Sequence, residues 1–204
     1  MRELRPERLL RSFPFALRED EEKGFYAEGY PIVFDQPTVL FEDGGIEYRE
    51  VIDRHALDTT AMEDVIFNYD HGGKVMARTR NATLWLTVDE KGLFARMRLD
   101  GTQAGREMYE EIKKGYVDRM SFQFSIDPAY DDYDPEAHLW TIRKIKRLYD
   151  VSAVSFPAYE QTSLDARKRA ALEAEAQRRK QAEELARVQE LRRSIKEKLE
   201  RKEA

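Results

Sequence analysis

A mainly β body with helices, of the α+β class and followed by one long C-terminal helix, is what the 204-residue sequence predicts. Three observations predict it. Short alternating or apolar runs recur between turn signals from Gly24 to Ser155. A single window inside that stretch repeats its apolar residues at helical spacing. Near residue 163 the composition then changes sharply, because all 10 Gly lie at or before Gly115 and all 7 Pro at or before Pro157. Residues 1–22 read as an N-terminal arm, 23–162 as the body and 163–204 as a charged helical tail.

The expected strands are Gly24–Phe34, Ile46–Ile52, Val65–Tyr69, Lys74–Thr79, Thr83–Val88, Leu93–Leu99, Met120–Ile126 and Leu139–Ser155, the last as two strands or one long bent strand. Such spacing suggests a sandwich or barrel. The helical window follows Thr102, which can cap it. Ala104, Met108, Tyr109 and Ile112 share a face, and Gly115 supplies the stop. Asp127–Ala137, with two Pro, four Asp and two Tyr, reads as an exposed loop. The tail consists mainly of Ala, Glu, Arg, Lys, Leu and Gln without a breaker, so one long helix is expected. Its sparse stripe of Leu185, Val188, Leu191, Ile195 and Leu199 suits a weak coiled coil, a homo-oligomer or a partner helix, and equally a solvated single helix.

Charge and composition narrow the function classes. Hydrophobic residues make up 41% and aromatics 11%, enough for an ordinary core, while charged residues reach 37%, so some segment must be mostly solvated. Leu164–Ala204 carries 13 Lys/Arg and 9 Asp/Glu within a chain of net charge -5, which makes the molecule an acidic body with a basic tail. That balance argues against wholesale nucleic-acid binding. With 0 Cys there are no disulfides, thiol nucleophiles or thiolate metal sites, and the reducing cell interior is the default compartment. No apolar stretch is long enough for a membrane span, and the N-terminus does not read as a secretory signal.

Three segments can carry chemistry. His71 closes the apolar run Val65–Tyr69 plus Asp70 and precedes Gly72-Gly73, so a strand delivers it to a flexible turn at a sheet edge; a hairpin turn bonding only its own backbone is the plainer reading. His55 sits at what reads as a strand-to-helix junction, and His138 follows the acidic loop and reads as facing water. Ser121 lies in a strand where Ser121, Gln123 and Ser125 alternate with Met120, Phe122 and Phe124; a polar solvent face explains it equally well. There is no G-x-S-x-G elbow, which disfavours an α/β-hydrolase. Asp150 shares a face with Ser152 in a strand otherwise small and apolar, and a buried acid there needs a partner. A serine, a histidine and an acid are the parts of a nucleophile, base and orienter relay.

The ordered series Tyr26-Ala27-x-Gly29-Tyr30, Phe34, Glu50-Val51-Ile52, Ala56-Leu57, Asn68-Tyr69-Asp70-His71, Ala77-Arg78-Thr79, Asp89-x-x-Gly92-Leu93, Lys114-Gly115, Met120-Ser121-Phe122-x-Phe124, Asp150-Val151-Ser152 and Pro157-Ala158-Tyr159 resembles the prohead (capsid maturation) serine proteases of tailed phages. These are similar in fold to the herpesvirus assembly protease. The resemblance implies a herpesvirus-protease-like β-barrel body over 23–162. It implies a serine endopeptidase that cleaves scaffold and major capsid protein during prohead maturation and also cuts itself. By the resemblance His71 is the base, Ser121 the nucleophile and Asp150 the third member, with no cofactor and no metal. The implied partners are the phage major capsid protein and its scaffold segment. The implied location is the host cytoplasm inside the assembling prohead, with no membrane and no specific nucleic acid. The tail carries no family motif. Two other classes stand beside this one: a non-enzymatic scaffold or assembly chaperone, and a metal hydrolase using Asp70, His71 and His55, which lacks H-E-x-x-H.

Overall fold

The structure is a computed structural model that describes residues 12–20, 24–126, 128–155 and 161–203. The motif Pro157-Ala158-Tyr159 lies outside the described residues. The strands form three sheets. The first runs β1 (Ser12–Pro14), β10 (Arg119–Ile126), β13 (Ile145–Val154), β6 (Ile66–Tyr69), β7 (Gly72–Arg78). The second runs β11 (Asp131–Asp134), β12 (Leu139–Ile142), β5 (Ile46–Ile52), β4 (Thr38–Asp43). The third runs β2 (Ala16–Asp20), β3 (Gly24–Val33), β9 (Gly92–Arg98), β8 (Leu84–Val88). Two α-helices follow in chain order, α1 (Gln103–Lys113) and α2 (Gln161–Glu203). The fold is therefore mainly β with helices. The three sheets stay open at their edges among the described residues, so the expected barrel is not closed.

Apolar faces of the first and third sheets make the core. Met120, Phe122 and Phe124 on β10 and Val151 and Ala153 on β13 join Ile32, Leu93, Ala95 and Met97, all 0% exposed. Full burial of the Met, Phe, Ile, Leu and Val side chains among them contributes about 1.5–3 kcal/mol each, upper estimates because the unfolded chain is already partly collapsed. The register of β10 on β13 slips between Gln123 and Phe124, so that Gln123 faces Asp150 but Phe124 faces Leu148. Tyr149 is the extra residue of this bulge. Its effect is decisive for the site, because it lets Leu148 enter the core while Asp150 turns to the other face of the same strand.

The helix α1 starts as expected: the Thr102 hydroxyl accepts the Gly105 N–H at 2.9 Å, and Met108, Tyr109 and Ile112 are buried. At Gly105 a Cβ would lie 2.4 Å from the Leu99 carbonyl oxygen, so the helix starts close against the chain that leaves β9. Several residues of the ordered series are braces between strands. Tyr30 donates to Asp89 at 2.6 Å, and the same carboxyl accepts the Lys91 and Gly92 N–H groups at 2.9 and 3.1 Å, which pulls the Asp89 pKa down. At Gly92 a Cβ would stand 1.9 Å from the Ile32 carbonyl oxygen, so β3 and β9 meet only because the side chain is absent. Arg78 forks onto both oxygens of Asp64 at 2.6 Å and holds that carboxyl below the usual range.

Two sequence expectations are corrected here. Part of the supposed acidic loop, Asp131–Asp134, is a strand, fixed by antiparallel pairing to β12 despite a composition that disfavours strands. The segment after Ile52 is a series of turns from 54 to 59 rather than the start of a helix. Within the arm, Ser12–Pro14 and Ala16–Asp20 are strands paired to β10 and β3. Contact density divides the chain after Leu164. In the tail unit, α2 is a 43-residue helix with Leu172, Leu185 and Leu191 exposed and Val188 half-buried. The side chains of Ile195 and Leu199 lie outside the described residues. No helix among the described residues is long and apolar enough to cross a membrane.

Candidate active site

The site begins with a tight turn. β6 and β7 are paired through Tyr69 and Gly72, leaving Asp70 and His71 as a two-residue connection. Both have positive φ, 44° and 56°, the left-handed pair that a hairpin of this length demands. Glycine usually occupies the second position. Histidine there carries roughly 1–3 kcal/mol of backbone strain, which only a well-supported frame sustains. The support is visible: the Asp70 N–H donates to the Ala153 carbonyl at 2.9 Å, the Ser155 N–H approaches the Asp70 carboxyl at 3.4 Å, and the Tyr69 and Ser155 hydroxyls are hydrogen-bonded. The turn is thus held in place rather than flexible, and it carries the imidazole inward until only 9% of the side chain is exposed.

Beneath the ring stands Asp150. His71 Nδ1 and Asp150 Oδ1 are 2.7 Å apart, and the Asp150 side chain is 5% exposed. An ionised carboxylate can only accept, so Nδ1 carries the proton and donates it. In the neutral ring that leaves the lone pair on Nε2. Nε2 is buried and has no hydrogen-bond partner among the described residues. A buried polar atom without a partner is uncommon in a folded protein and calls for an explanation.

Ser121 enters through strand register. Ser121 on β10 faces Ser152 on β13, and Ser152 faces Asn68 on β6, so the three form one row across the sheet on the face that also carries Asp150. Cβ atoms of facing residues in an antiparallel pair lie about 4.5–5.5 Å apart. Ser152 Oγ itself is 3.1 Å from His71 Nδ1 and 2.8 Å from Asp150 Oδ1. Ser121 therefore stands one strand from the imidazole, 2% exposed, without a hydrogen bond to Nε2 in this state. Ser152 touches the ring, but it is 0% exposed and lies on the Nδ1 side, where no lone pair is available to a base. Opposite Ser121 on its other flank, β1 brings the Ser12 backbone.

The remaining sequence candidates are elsewhere. Ser125 is buried further along β10 and accepts a hydrogen bond from Tyr149 at 3.3 Å. His55 is at the surface beside Asp58, 3.2 Å away. His138 is half-buried, not water-facing, with its ring edge-on to Tyr48 at 5.1 Å. Among the described residues no group of three His, Asp or Glu side chains is arranged to hold a metal ion. The sequence reading noticed that Ser152 shares a face with Asp150 but gave it no role, and gave Asn68 none. Nothing in the sequence separates the two from ordinary buried polar residues, and that Asn68 faces Ser152 is seen only in the strand register.

The chain is similar to known proteins. A family model described as caudovirus prohead serine protease matches residues 13–177. Over 152 residues, 73% of the chain, the sequence is 28% identical to the prohead protease of Enterobacteria phage HK97, and the aligned region spans 62% of that relative's length. The solved structure of the bacteriophage T4 capsid assembly protease superposes with a TM-score of 0.50, covering 73% of this chain and 98% of that one at 11% identity, a likeness of fold.

Proposed function

The chain belongs to the caudovirus prohead serine protease family, and from that membership we propose that it is a serine endopeptidase of capsid maturation in which Ser121 is the nucleophile, His71 the base and Asp150 the orienter. One observation carries the reading: the buried Nε2 of His71, left bare by the Nδ1 bond to Asp150, on the sheet face that Ser121 shares. In the reaction Nε2 takes the Ser121 hydroxyl proton as Oγ attacks the scissile carbonyl, and the Asp150 carboxylate steadies the imidazolium so formed. The imidazolium then protonates the departing amine, and water, activated by the same ring, hydrolyses the acyl-enzyme.

The substrates in this reading are the scaffold segment and major capsid protein inside an assembling prohead in the host cell, together with the enzyme's own chain. The basic tail serves placement. Its 13 Lys/Arg and exposed leucines suit an acidic helical partner better than a core. A fluorophosphonate probe followed by peptide mapping tests the nucleophile: the adduct falls on Ser121, vanishes in Ser121→Ala and His71→Ala, and is unaffected by chelators. An adduct on Ser125, or turnover near wild type in Ser121→Ala, refutes the assignment. Truncation after Ser163 leaves cleavage of a short peptide nearly unchanged and abolishes incorporation into proheads. Normal incorporation of the truncated chain rules out the tail as the targeting element.

A further inference from the structure

We propose that Ser152 and Asn68 are positioning residues that hold the His71 ring in a single tautomer by fixing Asp150, an inference that rests on the reading of His71 as base and Asp150 as orienter. The observations are three. Ser152 Oγ lies 2.8 Å from Asp150 Oδ1 and 3.1 Å from His71 Nδ1, and is hydrogen-bonded to Asn68 Oδ1. Ser152, Asn68 and Asp150 are 0%, 3% and 3% exposed, so water does not supply alternatives. Asn68 and Ser152 are register partners on parallel strands, with Asp150 two positions along.

Counting protons fixes the direction of the network. A serine hydroxyl has one proton and two lone pairs. Both Asp150 Oδ1 and the Asn68 amide lie within reach of that single proton. The charged carboxylate is the stronger acceptor, so the hydroxyl donates to Asp150. The opposite choice leaves lone pairs of Ser152 and Asp150 facing each other at 2.8 Å. With its proton committed, Ser152 offers Asn68 only a lone pair, and the amide must turn its NH₂ toward Oγ; the two amide orientations have the same shape, and the hydrogen-bond network decides between them. The chain then reads Asn68 N–H to Ser152 Oγ–H to Asp150 Oδ1, which also receives Nδ1–H of His71. Asp150 Oδ1 is saturated by two donors from fixed strand and turn positions. Its carboxylate cannot swing, and Nδ1–H has one place to point.

Loss of the Ser152 hydroxyl frees the carboxylate and lets the ring populate Nε2–H as well as Nδ1–H. Only the second form has a bare Nε2. Being fully buried, Ser152 does not meet substrate, so the effect falls on kcat and not on KM.

The direct test is the nitrogen spectrum of the full chain labelled with ¹⁵N-histidine and carrying Ser121→Ala to prevent self-digestion; with 3 His in the sequence the rings are separable. In its neutral form the His71 ring shows a protonated Nδ1 and a bare Nε2, and adding Ser152→Ala gives mixed tautomers. In the active protein, Ser152→Ala lowers kcat by about 10- to 100-fold with KM unchanged, and Ser152→Thr, which keeps the hydroxyl, restores much of it. Asn68→Asp separates the two directions of the network. If Asn68 donates, an acid there removes the donor and adds repulsion, and kcat falls at least as far as in Ser152→Ala. If Asn68 accepts, the acid is a better acceptor and activity survives, which overturns the proposal. Should Ser152→Ala fail to fold, Ser152→Cys, of similar size but a weak donor, takes its place with the same expected direction. A single Nδ1–H tautomer in the Ser152 variant, an unchanged kcat, or a change confined to KM each overturns it as well. The tautomer is read without any cleavage, so its outcome is independent of whether Ser121 is the nucleophile.

Discussion

Strands β9 and β10 are written with the same alternation and meet different surroundings. In Gly92–Arg98 the apolar Leu93, Ala95 and Met97 are 0% exposed, while Phe94 and Arg96 are half-buried and Arg98 is exposed. In Arg119–Ile126 the apolar Met120, Phe122 and Phe124 are equally buried, yet Ser121, Gln123 and Ser125 are only 2–3% exposed. The polar side chains of β9 find surface partners: Arg98 pairs with Asp100 at 2.6 Å, and Arg96 lies over the Tyr26 ring at 4.2 Å. Of those on β10, Ser121 faces the Ser152 hydroxyl, Gln123 faces Asp150, and Ser125 accepts from Tyr149. Alternation reports which residues meet the core. What the other face meets is decided by strands far away in sequence.

Substitutions on the two strands test this difference, beginning with the largest effect. Ser121→Ala and His71→Ala each lower kcat by about 10⁵-fold or more while the thermal midpoint hardly moves, and the double variant is scarcely worse than either, as read in peptide cleavage and calorimetry. Asp150→Asn lowers kcat by about 10³- to 10⁴-fold, because an amide holds the ring but in the wrong tautomer. On the shared apolar face the strands behave alike. Phe122→Ala, which removes a ring stacked on Phe124 at 5.0 Å, destabilises by about 3–5 kcal/mol, and Met97→Ala by about 2–5 kcal/mol, both measured by denaturant unfolding. Should either prove nearly neutral, the two sheets do not share one core.

The smallest effect is on the polar face of β9. Arg98→Ala leaves cleavage unchanged at neutral pH, because its ion pair is solvated. Acid reveals it. Arg98 holds the Asp100 carboxyl below its ordinary range, as Arg78 does for Asp64 and Tyr30 for Asp89. A depressed carboxyl contributes stability that is fully present above the ordinary carboxylate range and is lost as pH falls through the lowered value. The unfolding midpoint therefore holds down to about pH 4 and drops below it, with a shallower drop in Arg98→Ala. Parallel curves for the two proteins would assign acid sensitivity to other groups.

Much of the architecture was legible because most strands have clear local punctuation. Ile46–Ile52 lies between Gly45 and a polar turn, and Leu84–Val88 and Gly92–Arg98 flank a turn built on Asp89. Missed strands lacked that cue or contradicted it: Asp131–Asp134 is strand by pairing alone, and Thr38–Asp43 holds a three-residue apolar run with Val39 exposed and Leu40 buried. The site was legible as parts. His71, Ser121 and Asp150 each stood out, but solvent-face and plain-turn readings fitted equally well until contact across 79 positions joined His71 to Asp150. Asn68 and Ser152 stayed silent, because a small buried polar residue announces itself only through what it touches.

The turn at Asp70 and His71 also sets the sturdiness of a hairpin against the side chain it carries. Both residues occupy left-handed backbone that glycine adopts freely, so glycine at either position would make a sturdier hairpin. A population propagated under heat alone, with no capsid to process, would drift toward glycine at position 71 and lose the imidazole with it. A histidine in a seat that glycine would fill without strain makes the geometry of this turn a cost carried in the folding free energy.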